Sequence, residues 1–247
     1  MPAGKVYVIG IGPGSPDYLT GKAVKALKDS DLVIGYRLYV EQVAELVEGK
    51  ETLNSAMGRE VDRCRQAVEQ ALKGKKVALV SGGDPGIYGM AGLLLQVLQE
   101  NRERPEVEII PGVTAAGAAS AVLGAPLMHD FAVISLSDRL TPWERILDRL
   151  RAAAEADFVI VLYNPRSHGR SKLLLQARDI LLEKLPGDRA VGIVRGAGRD
   201  GESKWETTLQ KLPGLIEEVD MASLVIIGNS NTYWKEGYMI TPRGYQL

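Results

Sequence analysis

A short apolar run that ends in a loop almost without side chains, Leu79-Val-Ser-Gly-Gly-Asp-Pro-Gly-Ile-Tyr-Gly89, constrains this chain more than any other stretch. Lys75 to Val80 reads as a strand. Gly82, Gly83, Asp84, Pro85 and Gly86 then form a loop whose backbone can come close to a small molecule. The apolar run Met90 to Leu98 predicts a helix, so the loop sits at the carboxyl end of a strand, where open α/β sheets hold their ligands. Asp84 is the only charge in the loop, and a carboxylate there suits ribose hydroxyls or an ammonium group. The same residues also make a tight strand-to-helix turn capped by Asp or Gly, and this stretch alone leaves both readings open.

Further along, the pattern repeats. Lys5 to Ile9 is a β-rich run that opens into Gly10-Ile-Gly-Pro-Gly-Ser-Pro-Asp-Tyr-Leu-Thr20, and Thr20 suits the N-cap of a helix from Gly21 to about Asp29. Pro13 and Pro16 interrupt that loop and the helix begins late, which argues against a dinucleotide pyrophosphate on its N-terminus. Asp31 to Gly35 is a second strand, followed by Tyr36, Arg37 and Tyr39, which either line a pocket or cover the core edge. Arg59 to Lys73 carries Val61, Cys64, Ala67, Val68, Ala71 and Leu72 on one helical stripe. Strand 107–110 runs into Pro111-Gly-Val-Thr-Ala-Ala116 and an alanine-rich helix, 113–123. The pattern βαβαβα predicts a doubly wound sheet.

A chain of 247 residues holds one large domain or two of ordinary size, and we expect two α/β domains, 1–124 and 125–247, joined by a short linker around Gly124-Ala-Pro126. The second half reads as strand 129–138, a helix over Trp143, Ile146, Leu147 and Leu150, strand 158–162, a helix 171–185, strand 190–194, a last helix over Leu209, Leu212, Leu215 and Ile216, and strand 224–227. Loops 10–20, 82–89, 111–115, 163–167, 195–198 and 228–232 all follow predicted strands, and a cleft between two domains would collect them for two ligands, one nucleotide-like and one large and flat.

Composition narrows the chemistry. Thirty Lys and Arg stand against 31 Asp and Glu, which gives no general attraction to nucleic acid or acidic membranes. Cys64, the one cysteine, lies on an apolar stripe, so we expect it buried; a disulfide within the chain is excluded. No apolar run approaches about 20 residues and no secretory leader is readable at Met1, so we expect a soluble cytoplasmic protein. HExxH, GK[ST], CxxC and GxSxG are absent, which removes the usual support for zinc proteolysis, P-loop chemistry, dithiol redox and elbow-type serine hydrolysis.

In combination, Gly10-Ile-Gly-Pro-Gly14 with Leu19-Thr20, Gly82-Gly-Asp-Pro85 with Ile87 and Gly89, and Pro111-Gly-Val-Thr-Ala115 resemble the three ordered motifs of the tetrapyrrole methyltransferase family. His129 to Asp138, Leu162-Tyr-Asn-Pro-Arg-Ser167 and Gly228-Asn-Ser-Asn-Thr232 resemble one branch of it, the precorrin-3B carbon-17 methyltransferases of cobalamin synthesis. The resemblance implies S-adenosylmethionine bound between two α/β domains and a homodimer; with one cysteine and no iron–sulfur extension of the kind some members carry, we expect no metal held by the protein. Cofactor contacts carried over are Pro13, Gly82, Gly83, Asp84, Ile87, Thr114 and Ala115, with Asn164 and Ala197 from the second half. It also assigns Gly10, Gly12 and Gly14 to the substrate side, where we add Tyr36 as a lining residue.

The implied reaction on precorrin-3B or cobalt-precorrin-3 also contracts the macrocycle, which requires proton movement at oxygen. His129 and Asp130 are the acid–base candidates, because imidazole titrates near neutrality and a neighbouring carboxylate tunes it; the alternative is that His129 caps the strand or binds a substrate arm. Arg166, Arg195 and Lys172 suit the substrate's carboxylates, and His168 reads as a surface residue at a helix start. An RNA or protein methyltransferase, a methyltransferase of another tetrapyrrole and a non-catalytic nucleotide-binding module are the alternatives.

Overall fold

The computed structural model describes residues 4–166 and 172–246. Ser167, His168 and the expected helix start at Ser171 lie outside them. The chain divides into two compact units, 1–115 and 116–247.

The first unit contains β1 (Lys5–Gly10), α1 (Gly21–Asp29), β2 (Leu32–Tyr36), α2 (Arg37–Gln42), β3 (Glu51–Ser55), α3 (Glu60–Leu72), β4 (Lys76–Ser81), α4 (Ala91–Gln99) and β5 (Glu106–Ile110). Its five strands form one parallel sheet in the order β3-β2-β4-β1-β5. Successive side chains point to opposite faces, and both faces are covered. Val6, Val8, Leu32, Ile34, Val77 and Leu79 pack with Cys64, Val68, Leu94 and Val97 of α3 and α4. Tyr7, Ile9, Val33, Ala78 and Val80 pack with Ala23, Ala26 and Leu27 of α1 and Val40 of α2. The expected doubly wound sheet is therefore present, with helices on both sides. Thr20 caps α1 as read from the sequence, its Oγ1 accepting the Ala23 N–H at 3.1 Å.

The second unit contains α5 (Ala115–Leu123), β6 (Gly124–Ala125), β7 (Phe131–Ser135), α6 (Trp143–Glu155), β8 (Val159–Tyr163), α7 (Leu173–Leu182), β9 (Ala190–Arg195), β10 (Ser203–Thr208), β11 (Ser223–Ile227), β12 (Tyr233–Lys235) and β13 (Tyr238–Ile240). The main sheet has the order β10-β9-β11-β8-β7, in which β7 and β8 are parallel and β11 is antiparallel to both β8 and β9. One face packs on α6 and α7 through Ile146, Leu150, Leu174 and Leu181. On the other, a Cβ at Gly192 would stand 2.6 Å from Leu123 Cδ1 and 3.1 Å from Met239 Sδ, so α5 and β13 lie directly against β9.

Two expectations change here. The unit boundary falls after Ala115, the first residue of α5, rather than near Gly124, because the Ala116 N–H is held by the Tyr163 hydroxyl at 3.0 Å and Leu123 seats on Gly192. The expected last helix over Leu209 to Ile216 is instead a turn after β10 followed by a short 3-10 helix, Leu212–Glu218. Pro213 and Gly214 disfavour a regular α-helix there.

Cys64 has no solvent exposure, and burial pushes its thiol up to about 12, with Arg63 opposing and Glu60 adding to the shift. A raised thiol pKa contributes stability that is complete below the ordinary value of about 8.5 and is lost as pH climbs toward the folded value. We expect Ellman's reagent at pH 8 to label native protein more than about a hundredfold slower than protein in denaturant. Equal rates would contradict this packing.

Candidate active site

Because the strands of the first unit are parallel, all their carboxyl ends share one edge, and the loops after β4, β1 and β5 leave neighbouring strands. Their backbones touch. The Gly83 N–H donates to the Gly12 carbonyl at 2.7 Å and the Gly12 N–H to the Gly83 carbonyl at 3.2 Å. A Cβ on Gly10 would stand 2.6 Å from Gly112 N and 2.7 Å from Gly83 O, and one on Gly112 only 2.2 Å from Gly83 O. Gly83 turns through a φ of +66°, a region glycine enters without steric cost.

Asp84 joins two of these loops. Its Oδ1 accepts the Gly86 N–H at 2.8 Å and its Oδ2 the Gly112 N–H at 3.1 Å. Each oxygen thus serves a backbone amide and retains a second acceptor site, through which the ligand contacts expected of this carboxylate would be made. The turn reading gains this contact, but Asp84 does not cap α4, whose first residue follows Met90 without a side-chain cap.

The remaining first-unit candidates lie along the same edge. Gly14, Gly82, Thr114 and Ala115 are half-buried, Pro13 is buried, and Ile87 is exposed on the loop after β4. Tyr36, the last residue of β2, meets Tyr39 edge-on with ring centroids 5.4 Å apart, and the Tyr39 ring fills the space a Cβ on Gly82 would need. Tyr36 thus belongs to an aromatic pair seated beside the Gly82–Gly83 turn.

In the second unit, β7, β8 and β9 run in one direction, so the loops 135–138, 163–166 and 195–198 share one edge. Asn164 adopts a left-handed φ of +53° and its Nδ2 donates to Ser135 Oγ at 2.9 Å. That oxygen also accepts the Ser137 N–H at 3.2 Å. Ala197 is buried between Gly196 and Gly198, and the Gly196 N–H donates to the Ala222 carbonyl at 3.0 Å.

Two arginines expected to meet substrate carboxylates are engaged within the unit. Arg166 donates through NH1 to the Ile216 carbonyl and through NH2 to Glu217 at 2.8 Å, closing the end of the 3-10 helix. Arg195 donates to the Glu218 carbonyl at 3.3 Å and lies over the Trp205 ring, 5.1 Å from its centroid. Lys172 is exposed beside the start of α7.

Because β11 runs antiparallel, the 228–232 loop lies at the opposite edge, so the three strand-end loops expected in the second unit do not share one edge. It is braced there by Asp157, which accepts from the Ser230 hydroxyl at 2.5 Å and pairs with Arg189 at 3.0 Å. Burial pushes the Asp157 carboxyl up, but the Ser230 hydroxyl and Arg189 outweigh it and hold the group below the usual carboxylate range. Sequence reasoning missed this pair, which no local motif announces.

His129 and Asp130 precede β7 and occupy that far edge too, with the Val159 N–H donating to the Asp130 carbonyl at 3.2 Å. The five residues of β7, at about 3.3 Å each, separate them from the loops bearing Asn164 and Ala197. His129 Nδ1 accepts the Asp130 N–H at 2.9 Å, and the two side chains are 45% and 83% exposed. With Leu127, Met128 and Arg243 they line an open depression of about 200 Å³. The expected acid–base pair is therefore not brought together with the second-unit cofactor candidates.

Among the described residues, no group of three or more His, Cys, Asp or Glu is placed to hold a metal ion, and no helix is long and apolar enough to cross a membrane.

Residues 5–213 match the model of the tetrapyrrole (corrin/porphyrin) methylases. A protein of Salmonella typhimurium named probable cobalt-factor III C(17)-methyltransferase is 51% identical over 240 residues, 97% of this chain and 99% of that one. The crystal structure of the methyltransferase CobJ superimposes with a TM-score of 0.92 at 36% identity, covering 97% of this chain and all of that chain. A uroporphyrin-III C-methyltransferase of Thermus thermophilus complexed with S-adenosylhomocysteine gives 0.73 at 27% identity, covering 91% of this chain and 97% of that one.

Replacing Asp84 by Ala should release the Gly86 and Gly112 amides and cost on the order of 1–3 kcal/mol. Hydrogen exchange should speed up at those two amides in the ligand-free protein while the amides of β1 and β4 stay protected. Unchanged exchange would show that the carboxylate does not order the loops.

Proposed function

This chain belongs to the tetrapyrrole (corrin/porphyrin) methylase family, and we propose that it methylates carbon 17 of precorrin-3B or its cobalt-carrying counterpart, with contraction of the macrocycle, in cobalamin biosynthesis. It is a C-methyltransferase acting on a tetrapyrrole. The observation that carries the finer reading is the 51% identity, over almost the full length of both chains, to a protein whose name specifies cobalt-factor III and carbon 17.

S-adenosylmethionine is the methyl donor in this reading. The residues of the first unit fit such a group, because the bend at Gly82 and Gly83 has little side-chain bulk and Asp84 is already held in place by two amides. Gly82, Gly83, Asp84, Ile87, Thr114, Ala115 and Pro13 would hold it, and Asn164 and Ala197 are the second unit's candidates for it. When bound, it supplies an electrophilic methyl on a sulfonium whose leaving thioether departs neutral.

Positioning is then the main work of the protein. Well-oriented reactants gain on the order of 7–11 kcal/mol over free ones, and that requires rigid loops. The backbone contacts among Gly10, Gly83 and Gly112 provide the rigidity, and the Tyr36–Tyr39 pair presents an aromatic surface to a flat macrocycle beside Gly10, Gly12 and Gly14. His129 and Asp130, at the far edge of the second unit's sheet, fall outside this set. So do the terminal nitrogens of Arg166, which serve the 3-10 helix. The enzyme is read as a cytoplasmic homodimer with no nucleic-acid or membrane partner; its balance of 30 cationic and 31 anionic residues supports the latter.

Mass spectrometry after incubating the protein with S-adenosylmethionine and, separately, precorrin-3B and cobalt-factor III tests this directly. One added methyl on a contracted ring from either substrate is the expected result, and the productive substrate identifies the metal-free or cobalt-loaded route. Confirmed donor binding without methylation of either would overturn the carbon-17 reading.

A further inference from the structure

The loop joining β3 to α3 leaves the sheet at the same edge as the candidate site. Ser55 pairs in register with Tyr36, so residues 56–59 leave the sheet beside the aromatic pair. Arg63 orders this loop from beneath. Its side chain is only 5% exposed; NH1 donates to Ser55 Oγ at 2.9 Å and the Ala56 carbonyl at 3.0 Å, and NH2 pairs with Glu60 at 3.1 Å. Glu60 in turn accepts the Gly58 N–H at 3.0 Å, and Gly58 turns through a φ of +88°. Burial pushes the Glu60 carboxyl up, but the Gly58 amide, its own amide and Arg63 outweigh this and hold it below the usual carboxylate range.

A buried guanidinium with this many partners is a costly way to make a plain strand-to-helix turn. What the ordered loop presents is specific: Met57 at 56% exposure, and Arg59, whose side chain is 67% exposed. Arg59 Nε donates to Asp62 at 2.5 Å, and among the described residues its guanidinium has no other hydrogen-bond or ion-pair partner. An apolar side chain two residues from an open guanidinium fork matches a flat macrocycle fringed by carboxylate arms.

We propose that residues 56–59 form an outer wall of the tetrapyrrole site, with Arg59 binding a carboxylate arm of the substrate, Met57 packing on the macrocycle and Arg63 acting as the positioning residue. This rests on the tetrapyrrole methyltransferase reading and adds a substrate-recognition element to it.

The test compares wild type with Arg59→Ala, Arg59→Lys and Arg63→Lys, measuring kcat and KM for cobalt-factor III, the affinity for S-adenosylmethionine by calorimetry, and thermal unfolding. Arg59→Ala should raise KM about tenfold, with kcat, donor affinity and melting unchanged, and Arg59→Lys should recover part of the loss. Arg63→Lys should raise KM likewise and speed hydrogen exchange at Gly58, where a merely structural role would lower the melting temperature without separating KM from kcat. An active wild type with an indistinguishable Arg59→Ala variant overturns this inference alone. A wild type that binds the donor but neither binds nor methylates a tetrapyrrole overturns the function and this inference together.

Discussion

Backbone contact among Gly10, Gly83 and Gly112 is the constraint on which the first unit's working edge depends. β1 lies between β4 and β5, so three strand ends must leave the sheet side by side, and any Cβ at Gly10 or Gly112 would collide with main-chain atoms at 2.2–2.9 Å. With side chains excluded, the surface offered to a ligand is made of amides and carbonyls, which cannot reorient independently. Asp84 contributes one fixed charge whose position is set by Gly86 and Gly112. A methyl transfer that gains chiefly from alignment needs a surface of this kind.

The second unit uses the same elements to a different end. Its β11 enters antiparallel between β8 and β9, so the edge bearing Asn164 and Ala197 receives loops from only β7, β8 and β9, and the 228–232 loop moves away. Arg166 and Arg195 then find the end of the 3-10 helix close to their strand ends and pair with its carbonyls and carboxylates. The antiparallel strand thus explains both why one polar motif leaves the edge bearing Asn164 and Ala197 and why two cations that look suited to ligand carboxylates are engaged internally.

Much of this fold was legible because the signals are local. Thr20 and the following amphipathic turn define α1 to the residue, and the apolar runs mark β1, β2, β4 and β5. The elements that escaped depend on partners. β3, Glu-Thr-Leu-Asn-Ser, is a polar edge strand formed by its ladder to β2, and β10 exists through its pairing with β9. The candidate site divides the same way. Glycine-rich loops announced themselves, but the acceptor role of Asp84 toward an amide 28 positions away did not. Nor did the direction of β11, which decides whether the 228–232 loop shares an edge with Asn164.

The first turn of α3 shows where helical periodicity stops being a guide. The apolar phase that correctly buries Cys64, Ala67, Val68 and Ala71 also selects Val61, yet Val61 is 41% exposed and Arg63 takes the buried place. Periodicity reports which face meets the sheet. At a helix N-terminus, however, the neighbour is the incoming loop, whose carbonyls and hydroxyls need donors more than they need apolar cover. Ala56 O and Ser55 Oγ are such groups, and a guanidinium reaches both at once where a valine reaches neither. The stripe therefore yields to hydrogen bonding where the helix leaves the core, at the edge of the sheet that carries the candidate site.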